Sequence, residues 1–166
     1  MQDHGSPLLR KLLDAHGPAV ADTHARLGDA TAVVDRERLV EVMRFLRDTP
    51  ELDFEMLTDL TAVDYQSPDL GDEPRFQVVY HLYSVSRNHR LRIKVRVPES
   101  SPQVASLVEL WASANWMERE VWDMYGIGFD GHPDLRRILL YDGFEGHPLR
   151  KDYPKERRQP LVGPNN

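Results

Sequence analysis

The sequence has no cysteine among its 166 residues. That absence removes thiolate-held iron–sulfur clusters, thiolate zinc sites, disulfides and thiol nucleophiles from consideration. It also lacks any apolar run near the ~18 residues that a membrane-spanning helix needs. The opening Met1-Gln2-Asp3-His4-Gly5-Ser6-Pro7 has no basic-then-apolar order, so no signal or transit peptide is expected there. Direct membrane insertion is therefore not expected, and any membrane association should come through a partner. A basic excess is missing too: the net charge of −6 argues against bulk nucleic-acid binding, which relies on a cationic footprint. What remains, 40% hydrophobic and 29% charged residues, suits a globular chain with a real core.

Turn-forming residues are unevenly spread. Residues 1–125 hold 11 glycines and prolines, and residues 126–166 hold another 11 in 41 positions. The first part is acidic and the second near neutral. This predicts a globular domain over 1–125 and an extended C-terminal arm over 126–166. Within the domain, Ser6-Pro7 starts a helix that Gly17-Pro18 stops. Val20–Leu27 and Thr31–Val34 flank Gly28-Asp29-Ala30 as a short hairpin. Asp35 caps a second helix with Leu39, Val42, Met43 and Leu46 on one face. A strand is expected around Leu60–Tyr65, and Arg75–Ser84 with Arg90–Val97 form a hairpin. In the latter strand Leu91, Ile93, Val95 and Val97 alternate with Arg92, Lys94 and Arg96, which gives one core face and one charged face. The charged face reads either as solvent-facing or as a dock for an acidic neighbour. Ser101-Pro102 opens a helical region to about Tyr125. The order α-β-β-α-β-β-β-α implies a two-layer α+β fold: a mixed β-sheet with helices on one face.

Three groups of residues carry candidate chemistry. Gly126-Ile127-Gly128-Phe129-Asp130-Gly131 matches G-x-G-x-x-G, but a helix precedes it and Pro133 follows, the reverse of a dinucleotide loop. It reads as a helix stop and a turn. His132 and His147 lie among Asp134, Asp142, Glu145 and Asp152, the donor types of a His/carboxylate metal site and hence of a stand-alone metal-dependent hydrolase. Gly-His-Pro otherwise marks turns in which the imidazole bonds backbone. Glu118, Glu120 and Asp123 crowd a helix C-terminus, where the macrodipole repels anions. Glu120 and Asp123 are expected to share a face, with Arg119 in reach of Asp123. General acid/base chemistry, a solvated helix end, and pairing with Arg136, Arg137 and Arg150 or with another chain's arginines are the readings open to this cluster.

The arm carries Phe129, Leu135, Ile138, Leu139, Leu140, Tyr141, Phe144, Leu149, Tyr153, Leu161 and Val162. That is too apolar for free disorder and too rich in breakers for a fold of its own. Ordering it costs ~1–2 kcal/mol per residue in backbone entropy, so a neighbour's surface is expected to offset the cost and the arm to bind a partner.

The run Glu118-Arg119-Glu120-x-x-Asp123-Met124-Tyr125-Gly126-Ile127-x-Phe129-x-Gly131-His132-Pro133-Asp134-Leu135-Arg136-Arg137-Ile138-Leu139 resembles the hallmark of the 30 kDa subunit family of proton-pumping NADH:quinone oxidoreductase, respiratory complex I. Gly146-His147-Pro148-Leu149-Arg150-Lys151-Asp152-Tyr153-Pro154 continues the likeness. So do Asp59–Tyr65 and Arg75–Ser84. The resemblance implies a hydrophilic peripheral-arm subunit without a redox centre, packed against the quinone-site subunit and near the iron–sulfur subunits. It implies that FMN and iron–sulfur clusters reside in other subunits and that this chain holds no cofactor, metal or catalytic residue. The implied place is the cytoplasmic face of the bacterial inner membrane, and the implied role is assembly of the electron-transfer arm. Related chains occur in membrane-bound energy-converting [NiFe] hydrogenases, which gives an alternative of the same class. Partner-binding residues are expected to be Glu118, Arg119, Glu120, Asp123, His132, Pro133, Arg136, Arg137, His147, Arg150, Lys151 and Tyr153.

Overall fold

The structure, a computed structural model, describes residues 6–67, 74–157 and 159. Leu161 and Val162 of the arm lie outside the described residues. Helix α1 spans Pro7–His16, with Pro7 in the first turn, and buries Leu9 and Leu12. Strands β1 (Val20–His24) and β2 (Thr31–Val34) pair antiparallel, joined through a short 3₁₀ turn at Arg26–Gly28. Leu27 sits in that turn at φ 57°, so β1 ends earlier than its composition suggests. Helix α2 spans Leu39–Asp48 and buries Leu39, Val42, Met43 and Leu46, the predicted stripe. Asp35 starts a 3₁₀ turn (Arg36–Arg38) that leads into it.

Strands β3 (Met56–Asp64), β4 (Phe76–Ser84) and β5 (His89–Val97) follow as an antiparallel meander. β5 then pairs parallel with β2, which makes the five-stranded sheet mixed, in the order β1-β2-β5-β4-β3. Alternation decides its two faces. Phe76, Val78, Tyr80 and Leu82 of β4 and Leu91, Ile93, Val95 and Val97 of β5 join the buried residues of all three helices in a single core. Each fully buried large aliphatic or aromatic side chain in that core contributes ~1.5–3 kcal/mol. Two-layer α+β architecture with helices on one face is thus what the chain adopts.

One expected element is corrected. The stretch opened by Ser101-Pro102 is not helical until Ala114. Gln103–Ala105 is a strand, β6, paired parallel with β7 (Gly128–Asp130). Helix α3 spans only Ala114–Tyr125. Pro102 lacks an amide proton, and the Leu107 amide is taken by the Glu118 carboxylate, so neither serves a helical ladder. Gly126 then ends α3 at φ 72°, donating its N–H to the Trp122 carbonyl, as the predicted stop requires.

Candidate functional site

Helix α3 sorts its charges by face. Glu118 falls on the core stripe with Ala114 and Val121 and is completely buried. Among the described residues no arginine meets it. Its Oε1 accepts from the Leu107 amide at 2.7 Å and its Oε2 from the Ser106 hydroxyl at 2.7 Å. The expectation of an arginine partner for Glu118 is therefore wrong: the stripe points it into the domain, toward an irregular segment with amides to offer. Burial pushes its carboxyl up to about 7, against the pull of those two hydrogen bonds. Glu120, on the opposite side, is exposed, so it does not share a face with the buried Asp123 as expected.

The next stripe holds the arm. At one turn of α3 the His132 Nε2 lies 3.0 Å from the Asn115 carbonyl, while His132 Nδ1 accepts the Asp134 amide. One turn on, Arg119 donates to the carbonyls of Arg136 and Arg137 at 3.1 and 2.8 Å, rather than reaching Asp123. One turn further, Asp123 Oδ2 accepts three successive amides, those of Ile138, Leu139 and Leu140, at 3.1, 2.9 and 2.9 Å. Its Oδ1 pairs with Arg137. Three amides closing on one oxygen form an anion nest. Together with Arg137 they outweigh burial and hold the Asp123 carboxyl below its ordinary range. The unfavourable acid at a helix C-terminus is thereby compensated within the chain.

The arm then turns back, so the chain's own α3 supplies surface for it where a partner's was expected. His147 packs beside Gly126 and its Nδ1 lies 3.0 Å from the Asp123 carbonyl. Burial lowers its imidazole pKa. The Leu149 amide donates to the Met124 carbonyl, and Arg150 donates to that of Tyr125. Tyr153 stacks on Phe144 at 6.1 Å and its hydroxyl accepts from Gln159. Arg136 pairs with its neighbour Asp134 and not with the α3 acids. Pro133 is exposed in the turn.

Of a second anchor, only Arg150 and Lys151 are among the partner-binding residues expected from sequence. Arg75, only 4% exposed, forms a double hydrogen bond with Asp64 at 3.0 and 2.8 Å and another with Asp152 of the arm at 3.0 and 2.8 Å. It also pairs with Glu99 and lies 4.8 Å above the Phe76 ring, which Arg150 approaches to 5.1 Å. The Lys151 amide donates to Asp64 at 2.8 Å, and its Nζ lies 3.4 Å from the Gln66 carbonyl. Burial alone would raise Asp64, but Arg75 and two backbone amides hold it at about 2. The signal was present: Asp64 continues the inward alternation of Leu60 and Ala62, a charge at a core position.

His132 and His147 engage α3 carbonyls eight residues apart, ~12 Å along the helix. They do not converge on one ion, and among the described residues no group of three or more His or carboxylate side chains is placed to hold a metal ion. The hydrolase reading loses its geometric basis. The G-x-G-x-x-G lookalike is the α3 stop followed by β7. No helix among the described residues is long and apolar enough to cross a membrane.

Residues 32–159 match the family described as the respiratory-chain NADH dehydrogenase, 30 Kd subunit. The chain is 51% identical over 147 residues to an NADH-quinone oxidoreductase subunit of Roseiflexus castenholzii, covering 89% of this chain and 82% of that one. It is 46% identical over 156 residues to the protein of the same name from Geobacter sulfurreducens, covering 92% and 93%. A trypsin-resistant fragment of Nqo5 superposes with a TM-score of 0.68 at 36% identity, over 77% of this chain and 98% of the fragment. A chain of a membrane-bound sulfane sulfur reductase, an archaeal respiratory membrane complex, shares the fold at a TM-score of 0.74 and 21% identity, over 93% and 88%. The chain belongs to the 30 kDa subunit family of the respiratory-chain NADH dehydrogenases.

Proposed function

We propose that this chain is the non-redox 30 kDa-type subunit of a proton-translocating NADH:quinone oxidoreductase, at the cytoplasmic face of a bacterial inner membrane. It packs against the quinone-site subunit and near the iron–sulfur subunits, and it supports assembly of the electron-transfer arm. FMN and the iron–sulfur clusters belong to the other subunits, a division that the lack of cysteine supports. The observation that carries the reading is identity near one half with NADH-quinone oxidoreductase subunits of one name over about nine tenths of the chain. Arg119, Asp123, Arg137 and Arg75 are taken up in fixing the arm to this chain's own domain, which leaves other surface for a neighbour. Trp116, Leu139 and Leu149, 70%, 62% and 51% exposed, offer apolar surface on α3 and the arm for a neighbour.

The test is deletion of the gene in its native host, followed by complementation with a tagged full-length chain. NADH:quinone activity should disappear from membranes and return on complementation. The tagged chain should co-purify with the quinone-site and iron–sulfur subunits. Membranes that keep an intact complex and full activity without this chain would refute the proposal.

A further inference from the structure

The helices pack on one face of the five-stranded sheet, and Val33, Lys94 and Val79 on the other face lie outside the core they form. The strand registers fix what that other face displays. Across its middle run Asp22, Val33, Lys94, Val79 and Thr61, one residue per strand. Lys94 thus lies between two valines that are themselves 7% and 6% exposed. Along β5 the same face carries Arg90, Arg92, Lys94 and Arg96 at every second position, successive Cα atoms ~7 Å apart. Four cations in line, in a chain whose net charge is −6, repel one another at that spacing.

Local compensation is uneven along the stripe. Arg92 reaches Thr31 and Asp29, and Arg90 lies over the Tyr83 ring. No ion pair with a carboxylate forms at Lys94 among the described residues. Burial and the Arg92 charge both act on its ammonium, and both lower its pKa. A half-buried cation between two valines, flanked along its strand by like charges, breaks the rule that such groups find a counter-charge.

We propose that this sheet face, centred on Lys94 between Val33 and Val79, is a docking surface for an acidic, partly apolar protein surface of a neighbouring subunit. This rests on the reading of the chain as one component of an assembly. A second copy of this chain fits poorly, because face-to-face pairing would set one cationic stripe against another. The face covers roughly 570 Å², from strand lengths, spacing and rise. That is about seven tenths of one partner's share of a standard interface, ~800 Å². It suits one patch of a larger contact in a multisubunit body.

The experiment compares full-length tagged variants in a deletion strain: Lys94→Glu, Lys94→Arg, and Arg44→Glu on the exposed side of α2 as a control of equal charge change. Thermal melting of each purified chain establishes folding. The expected result is that Lys94→Glu lowers the fraction of chain found in the complex by tenfold or more, while Lys94→Arg and Arg44→Glu stay within about twofold of the unsubstituted chain. A photo-crosslinker at Thr61 should capture an acidic segment of another subunit. Incorporation of a folded Lys94→Glu at the unsubstituted level overturns the inference while leaving membership of the complex intact, as does crosslinking to a second copy or to lipid alone. Failure of the unsubstituted chain to enter any complex overturns the membership reading itself.

Discussion

Substitution of Asp123 by alanine tests whether the arm is part of the fold or merely lies on it. The Asp123 carboxylate is fully buried, and it bonds Arg137, itself 13% exposed, and three consecutive amides. Removing one partner of a buried ion pair costs ~3–5 kcal/mol, because the other charge is left behind. That is a large fraction of the ~5–15 kcal/mol by which a domain is stable. If residues 131–157 undock as a unit, the loss is capped at the free energy of docking and appears as protease sensitivity. The assay is therefore double: urea unfolding of the full-length chain, and limited trypsin digestion under native conditions. The Asp123→Ala chain should lose several kcal/mol or cut much faster after Arg136, Arg137, Arg150 and Lys151. Asp123→Asn keeps an acceptor for the amides but loses the charge, and should fall between. A loss below ~1 kcal/mol with unchanged cleavage would refute the argument.

Glu118 predicts an unusual pH dependence. Its folded pKa of about 7 lies above the ordinary carboxyl value, so the native state binds the extra proton between pH ~4.5 and 7. Stability should fall by about 3 kcal/mol as pH rises through that window, and Glu118→Gln, read by urea melts from pH 5 to 8, should flatten the slope. Asp64 has the opposite sign: its pKa of about 2 means that its contribution is present above pH ~4 and lost as pH falls toward 2. Arg75→Met leaves Asp64 buried without its guanidinium and should cost ~3–5 kcal/mol at pH 7. Differential scanning calorimetry should show part of that cost relieved below pH 4. Gly126→Ala forces a positive φ on a residue with a side chain and sets the new Cβ 2.6 Å from the His147 ring and 2.9 Å from Arg150. It should cost ~1–2 kcal/mol from backbone alone, and more if the ring cannot move; the His147 imidazole NMR shifts should report its displacement.

Much of the fold was legible because the core obeys simple periods. The 3.6-residue stripe of α2 and the two-residue alternation of β5 each appear in the structure with the residues they implied. The stop at Gly126 followed from glycine's tolerance of positive φ. The region before Ala114 misled because serine, proline and apolar residues there mimic a helix start, whereas β6 owes its existence to β7, some 25 positions later. The acid cluster at the end of α3 stood out as an anomaly, but its expected resolution was half wrong. Arg137 does meet Asp123, yet Glu118 turns inward and Glu120 stays out.

By itself the sequence determined what is local or compositional: no thiol chemistry, an amphipathic α+β domain, a helix ending at Gly126, and the motif that marks the family. Only the tertiary structure decided which charges share a space. The Arg75 clasp draws Asp64, Glu99 and Asp152 from three distant stretches, and the Asp123 nest closes with amides 15 to 17 residues away. The reason is physical: periodicity encodes which face a residue is on, but a buried charge selects its partners across space, from whichever segments the packed core brings to it.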